Sequence, residues 1–318
     1  VKPPPFRYHR PSTVEEALAV LAEAGHDGKV LAGGQSLVPL LNMRLAAPRQ
    51  LVDINRLAEL AYVRTDADAV RVGALARHAE VEHDADAGAA VPLLRQALAD
   101  LAHPTIRNRG TVVGSLVHAD PSGEMPAVLA LLGGIMELAG DQGRRTVPAA
   151  EFFVGPLESA LRPGELATAA VFPRPPARSG SAWREVARRR GDYALCGVGV
   201  LVTLDEDSRV QAARAACISV GPTPVLVDLA GAVGGRPHDA ADWAAAGAVV
   251  AAAVDPEDDI HATAAYRRHL AGVLTARAGR AAAEQAAGSP EDRTGLSPGV
   301  RGTPRGSPGG SGPEGVPQ

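Results

Sequence analysis

The sequence predicts a mixed α and β protein with two folded domains, followed by a tail that does not pack. Three observations carry that expectation. Short apolar runs of strand character alternate with longer stretches of helical period through residues 1–287. Prolines and small polar residues crowd Pro173-Arg174-Pro175-Pro176-Ala177-Arg178-Ser179-Gly180, marking a linker or long loop. Residues 288–318 hold nine Gly and six Pro, with one Leu and two Val as the sizeable apolar side chains, too little surface to offset chain entropy. A chain of 318 residues is long enough for about two domains with a buried core.

Charge and cysteine usage exclude several function classes. Lys plus Arg number 32 and Asp plus Glu 36, a net charge of −4, without the basic stripe of a nucleic-acid binder. Two cysteines, Cys196 and Cys217, cannot build a disulfide framework, a four-cysteine metal site or an iron–sulfur site. Both read as small buried hydrophobes rather than nucleophiles. A reduced, intracellular, soluble protein is expected. Val1 to Phe6 has no apolar signal core. The longest apolar run, Trp243 to Val254, falls short of the roughly 20 residues a membrane helix needs, so no membrane span is expected.

The elements follow in order. Ser12 with Glu15, or Thr13 with Glu16, has capping-box spacing. Val14, Leu18, Leu21 and Ala22 then recur at helical spacing until Gly25. Lys29 to Ala32 has the pattern of a buried strand. Leu37 to Leu45 reads as a helix, broken by Pro48. Leu51 to Ile54 and Val70 to Ala74 read as strands, and Val91 to Leu101 as a helix despite Pro92. In the second segment Trp183 to Arg189, Gly197 to Leu204 and Val210 to Val220 read as strands, and Asp239 to Val254 and Ala264 to Ala287 as helices.

Two glycine-bearing segments are candidates for binding an anion. In Ala32-Gly33-Gly34-Gln35-Ser36, adjacent glycines allow backbone N–H groups to approach a ligand closely. Ser36 adds a hydroxyl, and the helix start that follows favours phosphate. No G-x-G-x-x-G and no Gly-Lys-Ser/Thr accompanies it, so neither a Rossmann nor a Walker loop is present. Arg107-Asn108-Arg109-Gly110-Thr111-Val112-Val113-Gly114-Ser115 offers two glycines, two hydroxyls and nearby positive charge. Two such segments can clamp a pyrophosphate from both sides. Taken singly, each is as well read as ordinary turn chemistry, the second as a basic surface turn before a strand.

Together the two segments resemble the FAD-binding medium subunit of molybdenum hydroxylases, of the aerobic carbon monoxide dehydrogenase and xanthine dehydrogenase type. The surrounding text strengthens the resemblance: Leu37 to Leu45, Leu51 to Asn55, Thr105 to Gly110, His118-Ala119-Asp120-Pro121, Arg188 to Ala194, and Tyr266 to Leu274. It runs from the N-terminus to about residue 280, with both segments in order. The resemblance implies an α+β, non-Rossmann fold of the vanillyl-alcohol-oxidase (PCMH) type. Residues 1–177 would be the FAD domain, with lobes at about 1–55 and 56–177. Residues 178–282 would be a smaller C-terminal domain of antiparallel strands with helices.

The same resemblance implies site residues. Ala32, Gly33, Gly34, Gln35 and Ser36, with Thr111, Val112, Val113, Gly114 and Ser115, would hold the FAD pyrophosphate. Glu124 sits where the family has an acidic residue contacting the cofactor; the other reading is a solvated carboxylate in a Ser-Gly-Glu turn. Arg184 lies where some relatives carry a lysine near the flavin, although Lys and Arg differ in hydrogen-bond geometry. Tyr193 would sit against the isoalloxazine ring; the other reading is a packed tyrosine with its hydroxyl satisfied. Val113 departs from the family's usual Thr-Ile-Gly-Gly-Ser, replacing the first of those glycines. A β-branched residue is strained if φ must be positive there, and FAD would then be held more loosely.

No residue set resembles a complete apparatus for substrate oxidation. The His residues are scattered, His78 and His83 are spaced i, i+5, and no Gly-x-Ser-x-Gly elbow is present. No catalytic or metal-ligating residue is therefore assigned. The resemblance implies non-covalent FAD here, with the molybdenum cofactor on a large partner subunit and iron–sulfur clusters on a small one, in a dimer of heterotrimers. The chain would be cytoplasmic, free or peripheral at the inner face of the membrane. A stand-alone FAD-dependent oxidoreductase and a flavin-free structural subunit are the other readings.

Overall fold

The computed structural model describes residues 2–288, so the tail expectation lies, from residue 289 onward, outside the described residues. The chain opens with a three-stranded parallel sheet built from β1 (Arg7–His9), α1 (Val14–Ala24), β2 (Gly28–Leu31), α2 (Leu37–Asn42) and β3 (Gln50–Asp53), in the order β1-β3-β2. Of the two candidate capping pairs of α1, Thr13 with Glu16 is the one used, though Glu16 reaches back to Ser12 rather than to the Thr13 N–H. Thr13 Oγ1 accepts the Glu16 N–H at 3.1 Å, while the Glu16 carboxylate accepts from the Ser12 N–H and hydroxyl, each at 2.8 Å. Helix α2 stops at Asn42 rather than Leu45. Arg44 turns left-handed (φ 60°), and its N–H and that of Leu45 return to the carbonyls of Leu41 and Leu40.

The middle of the chain runs β4 (Val63–Thr65), β5 (Ala69–Gly73), α3 (His78–His83), α4 (Ala85–Ala90), α5 (Pro92–Asp100), α6 (Pro104–Arg107), α7 (Val112–His118), α8 (Glu124–Leu132), β6 (Ile135–Gly140), β7 (Gly143–Pro148), α9 (Ala149–Phe152), β8 (Phe153–Gly155), β9 (Glu158–Ser159) and β10 (Leu166–Pro173). Its five-stranded antiparallel sheet has the order β4-β5-β10-β6-β7, and β8 pairs with β9. Pro92 is no obstacle to α5, because it occupies the first turn, where its missing N–H has no intrahelical partner anyway.

The last unit is an antiparallel sheet, β11 (Ser179–Ala187), β12 (Ala194–Leu204), β13 (Val210–Ile218) and β14 (Val225–Asp228), followed by α10 (Ala230–Val233), α11 (Trp243–Ala253) and α12 (Ala264–Ala287). Strand β11 begins inside the stretch whose composition reads as a loop, because α12 lies over it. Gln285 Oε1 accepts the Ser181 N–H at 2.7 Å. Helix α11 starts at Trp243 rather than Asp239, where the Asp242 carboxylate caps the Ala245 N–H at 3.0 Å.

One apolar core unites the first two sheets and reaches into the third through Trp183, Ala194, Leu201, Ala216 and Ile218. At its centre is α8, buried along Met125–Leu132 and packed on β10, β12 and β13. A helix apolar all round belongs inside. The other face of the third sheet, including Cys196, Val198, Val200, Val202 and Cys217, forms a second core with α11 and α12. Covered on both faces, β12 is apolar at nearly every position. Both cysteines are free and fully buried, and burial pushes the Cys196 thiol up to about 12.

Helices α11 and α12 cross where Gly247 meets Gly272; a Cβ on Gly247 would lie 2.3 Å from the Gly272 carbonyl oxygen. Gly247→Ala is expected to lower stability by roughly 1–3 kcal/mol, as overpacking does. Gly231→Ala in α10, where a Cβ meets nothing within 4 Å, is expected to cost nothing. Urea unfolding midpoints of the two variants check this.

Candidate cofactor site

The first glycine segment lies between β2 and α2, as expected from sequence. Gly34 has φ +72°, a conformation that favours glycine. Gly33 is required for a different reason: a Cβ there would lie 2.4 Å from the Arg109 carbonyl oxygen and 2.7 Å from Gly110 Cα. The two glycine segments therefore touch backbone to backbone. Gln35 Nε2 donates to the Gly33 carbonyl at 3.0 Å and braces the turn. Among the described residues, the N–H groups of Gly33, Gly34, Gln35 and Ser36, and the Ser36 hydroxyl, have no hydrogen-bond partner. A run of free N–H groups in a turn suits an anion.

The second segment is not a loop before a strand. It is the start of helix α7, with Thr111 as N-cap. Thr111 is buried, and its Oγ1 accepts the Gly114 N–H at 3.1 Å. Ser115 Oγ meets His78 Nε2 at 2.9 Å. Both hydroxyls expected to face a ligand are thus engaged within the chain. The side chains of Val112 and Val113 are buried in the core. Val113 has helical backbone and no positive φ, so the strain anticipated for a replaced glycine does not arise. What the segment offers an anion is backbone, including the Val113 N–H, which has no partner among the described residues. Arg107 is also turned inward, onto Glu82 at 2.7 Å and the carbonyls of Leu101 and Ala102, whereas Arg109 is exposed.

Behind the second segment stands His78, buried at 3% exposure. Its N–H donates to the Gly110 carbonyl at 3.0 Å. Burial, reinforced by the positive charge of Arg107, pushes its imidazole down to about 4, so it is neutral at ordinary pH. Among the described residues its Nδ1 has no hydrogen-bond partner.

Glu124 is the first residue of α8. A helix start favours a carboxylate, but burial, followed by the negative charge of Glu185, pushes it up to about 8. Glu124 is half-buried, between the cofactor contact of one reading and the solvated carboxylate of the other. Glu185, on β11, accepts from Trp183 Nε1 at 3.2 Å, and burial pushes it up to about 7. Asp100, at the end of α5, is raised by burial too. Arg184 lies on the opposite side of β11, exposed, and donates to the Trp183 carbonyl at 2.8 Å. Glu185, not Arg184, faces the carboxyl group of Glu124.

Tyr193 is 71% exposed and its hydroxyl has no hydrogen-bond partner among the described residues, unlike the packed tyrosine of the alternative reading. Ser219 ties its neighbourhood to Glu124: its hydroxyl donates to the Ala194 carbonyl at 2.7 Å and lies 2.9 Å from Ser122 Oγ, while its N–H reaches the Pro121 carbonyl at 2.9 Å. The fold thus joins the two glycine segments to each other and Tyr193 to Glu124, and leaves Arg184 outside. Sequence reasoning missed Asn55, Arg77, His78 and Glu185. Asn55 ends the Leu51 to Asn55 stretch that carries the resemblance, and Glu185 is the neighbour of Arg184, but nothing in the sequence assigns either a role.

Residues 4–175 match the family model described as the FAD binding domain in molybdopterin dehydrogenase, and residues 181–282 match the CO dehydrogenase flavoprotein C-terminal domain. The chain belongs to this FAD-binding family. It is 39% identical over 285 residues to the 6-hydroxypseudooxynicotine dehydrogenase complex subunit alpha of Paenarthrobacter nicotinovorans, covering 87% of this chain and 94% of that one. It is 36% identical over 278 residues to the carbon monoxide dehydrogenase medium chain of Afipia carboxidovorans, covering 87% and 96%. A chain of quinoline 2-oxidoreductase from Pseudomonas putida 86 superposes with a TM-score of 0.85 at 35% identity, covering 90% and 99%. The fold is therefore α+β, an FAD-binding domain followed by a C-terminal domain of antiparallel sheet and helices, and the protein is an oxidoreductase subunit of the molybdenum hydroxylase family. The residues present fit FAD: the N–H groups of Gly33 to Ser36 and of Val113, unpartnered among the described residues, lie on two segments that meet at a glycine contact, a donor set suited to a pyrophosphate. No helix among the described residues is long and apolar enough to cross a membrane, and no His, Cys, Asp and Glu cluster among them could hold a metal ion.

Two outcomes follow from this geometry. Val113→Gly, which restores the family's usual glycine, is expected to destabilise the chain by on the order of 2 kcal/mol, through lost burial and helix propensity. It should not tighten flavin binding; thermal melting and flavin titration check both. Glu185 and Glu124 are raised on folding from 4.5 to about 7 and about 8. The folded state then binds more protons than the unfolded one across that range, so stability is present at low pH and falls as pH rises through it. Glu185→Gln is expected to flatten this decline and raise stability at pH 8 by on the order of 1–3 kcal/mol. Parallel stability curves from pH 5 to 8 for variant and parent would contradict it.

Proposed function

We propose that this chain is the electron-exit subunit of a molybdenum-hydroxylase-type complex. Substrate would be oxidised at a molybdenum cofactor on a large partner subunit. Electrons would pass through iron–sulfur clusters on a small partner subunit, and this chain would deliver them to an external acceptor. A dimer of such heterotrimers is the proposed assembly. The observation that carries the reading is the backbone contact of Gly33 with Arg109 and Gly110, which brings the turn whose Gly33 to Ser36 N–H groups have no partner among the described residues against the segment that leads to Val113. Support comes also from relatives named as medium chains of carbon monoxide dehydrogenase and glyceraldehyde dehydrogenase.

FAD held there would supply the redox chemistry, since a flavin exchanges electrons singly or in pairs. The chain's own residues bind and orient it. Backbone N–H groups of Gly33 to Ser36 and of Val113 would take the pyrophosphate, with the Ser36 hydroxyl beside them. Gln35 braces its own turn, while Thr111, Val112, Gly114 and Ser115 hold the start of α7 in place. Tyr193 presents an exposed ring, its hydroxyl without a partner among the described residues, suited to stacking on the isoalloxazine. Glu124, held protonated near neutral pH, can donate a hydrogen bond that a carboxylate cannot.

The test is purification of the full chain alone and with its partners. About one FAD per chain is expected, with no substrate turnover until the molybdenum and iron–sulfur subunits are added. Substrate oxidation by the isolated chain would overturn the proposal.

A further inference from the structure

The two glycine segments belong to different units of the fold, and the apolar core between those units is non-directional. A directional contact must set how the segments face each other. Asp53, at the end of β3, is 8% exposed. Its carboxylate accepts from the Tyr8 hydroxyl and from the N–H and side-chain amide of Asn55, at 2.9 and 2.7 Å. Burial alone would raise the Asp53 carboxyl, but the hydrogen bonds from Tyr8 and Asn55 outweigh it and hold it below the ordinary range.

Those bonds decide which way the Asn55 carboxamide points. Asn55 Nδ2 also donates to the Ala32 carbonyl at 2.8 Å, immediately before Gly33. Asn55 Oδ1 therefore faces away and accepts from Arg77 Nη2 at 2.8 Å. The same guanidinium donates through Nη1 to the Arg109 carbonyl at 2.6 Å, the atom nearest the missing Cβ of Gly33. Among the described residues, the Arg77–Asn55 contact is the one side-chain hydrogen bond that joins residues 2–55 to residues 56–177.

We propose that Asn55 and Arg77 form a latch that sets the spacing of the two anion-binding segments, and so act as positioning residues for the pyrophosphate of a dinucleotide between them. The proposal rests on the reading of the site as an FAD site. Two features suit the latch to that task. The guanidinium is a planar fork whose separate nitrogens reach two acceptors at once, one on each side of the seam, where a lysine must reach both from a single nitrogen. The carboxamide offers a donor to one segment and an acceptor to the arginine, a pairing that a carboxylate or an apolar side chain cannot reproduce.

The experiment uses the full chain with Arg77→Met, Arg77→Lys, Asn55→Ala and the double variant Asn55→Ala/Arg77→Met. FAD and ADP are the probes in equilibrium titrations, and melting of the flavin-free chain checks folding. Arg77→Met and Asn55→Ala are each expected to weaken both ligands by roughly tenfold or more, as loss of a hydrogen bond to a charged group does. Arg77→Lys is expected to recover part of that loss. The double variant should be little worse than the worse single one, because both residues belong to one device. Affinities within about twofold of the parent in both single variants, no rescue by lysine, or fully additive losses would each overturn the latch. A parent chain that binds neither FAD nor ADP removes the cofactor reading itself, and the latch with it. Should Arg77→Met fail to fold, Asn55→Ala and Arg77→Lys carry the same comparison.

Discussion

The absence of a side chain at Gly33 is the constraint on which the site depends. With a Cβ confined to 2.4 Å from the Arg109 carbonyl, only glycine lets the turn after β2 lie against the backbone that leads into α7. That approach has consequences on both sides. It leaves the N–H groups of Gly33 to Ser36 without partners among the described residues. It also brings the carbonyls of Ala32 and Arg109 together, where each needs a donor of its own. A buried carbonyl without a partner is costly. Asn55 and Arg77 supply those donors, and they do so from opposite sides of the seam.

A second constraint is the burial of α8. Because Met125–Leu132 is enclosed by β10, β12 and β13, the first turn of this helix is fixed in a region with little solvent. Glu124 therefore faces competing influences: the helix start favours its charge, while burial and Glu185 oppose it. Burial wins, and the carboxyl is pushed up to about 8. The same packing fixes the C-terminal sheet against the rest of the chain. Trp183, Ala194 and Ile218 belong to the common core, so the strands on either side of Tyr193 are anchored while Tyr193 itself stays exposed.

Much of the fold is legible in the sequence. The alternation of apolar runs marks β2, β3, β5, β12 and β13, and α12 is delimited by Thr263 and Gly288 as caps. Local signals fail where a tertiary partner decides. Nothing near Ser179 says that α12 will cover it and turn a Pro-rich stretch into strand. Arg44 gives no sign that its backbone will close α2 early. The site is legible at the level of segments and not of atoms. Gly33, Gly34, Thr111 and Ser115 stand out by type and spacing, but Asn55, Arg77 and His78 do not, because their roles arise only when distant segments meet. On an isolated strand, Arg184 and Glu185 are equivalent candidates. The pleat separates them, since successive side chains point to opposite faces.

The inward turn of Thr111 and Ser115 bears on how such segments work. Hydroxyls beside glycines suggest direct contact with phosphate, yet here they are committed to Gly114 and His78. A backbone N–H can reach an anion only if the backbone is held still. A threonine that caps α7 and a serine held by a neutral, buried histidine do that work from behind. In the proposed site, side chains would provide rigidity and main-chain groups recognition. There this division would also accommodate Val113 in place of glycine. In a helical turn its N–H has no partner among the described residues, while its side chain fills the core. The requirement at that position is a helical backbone with an open N–H, and a β-branched residue meets it.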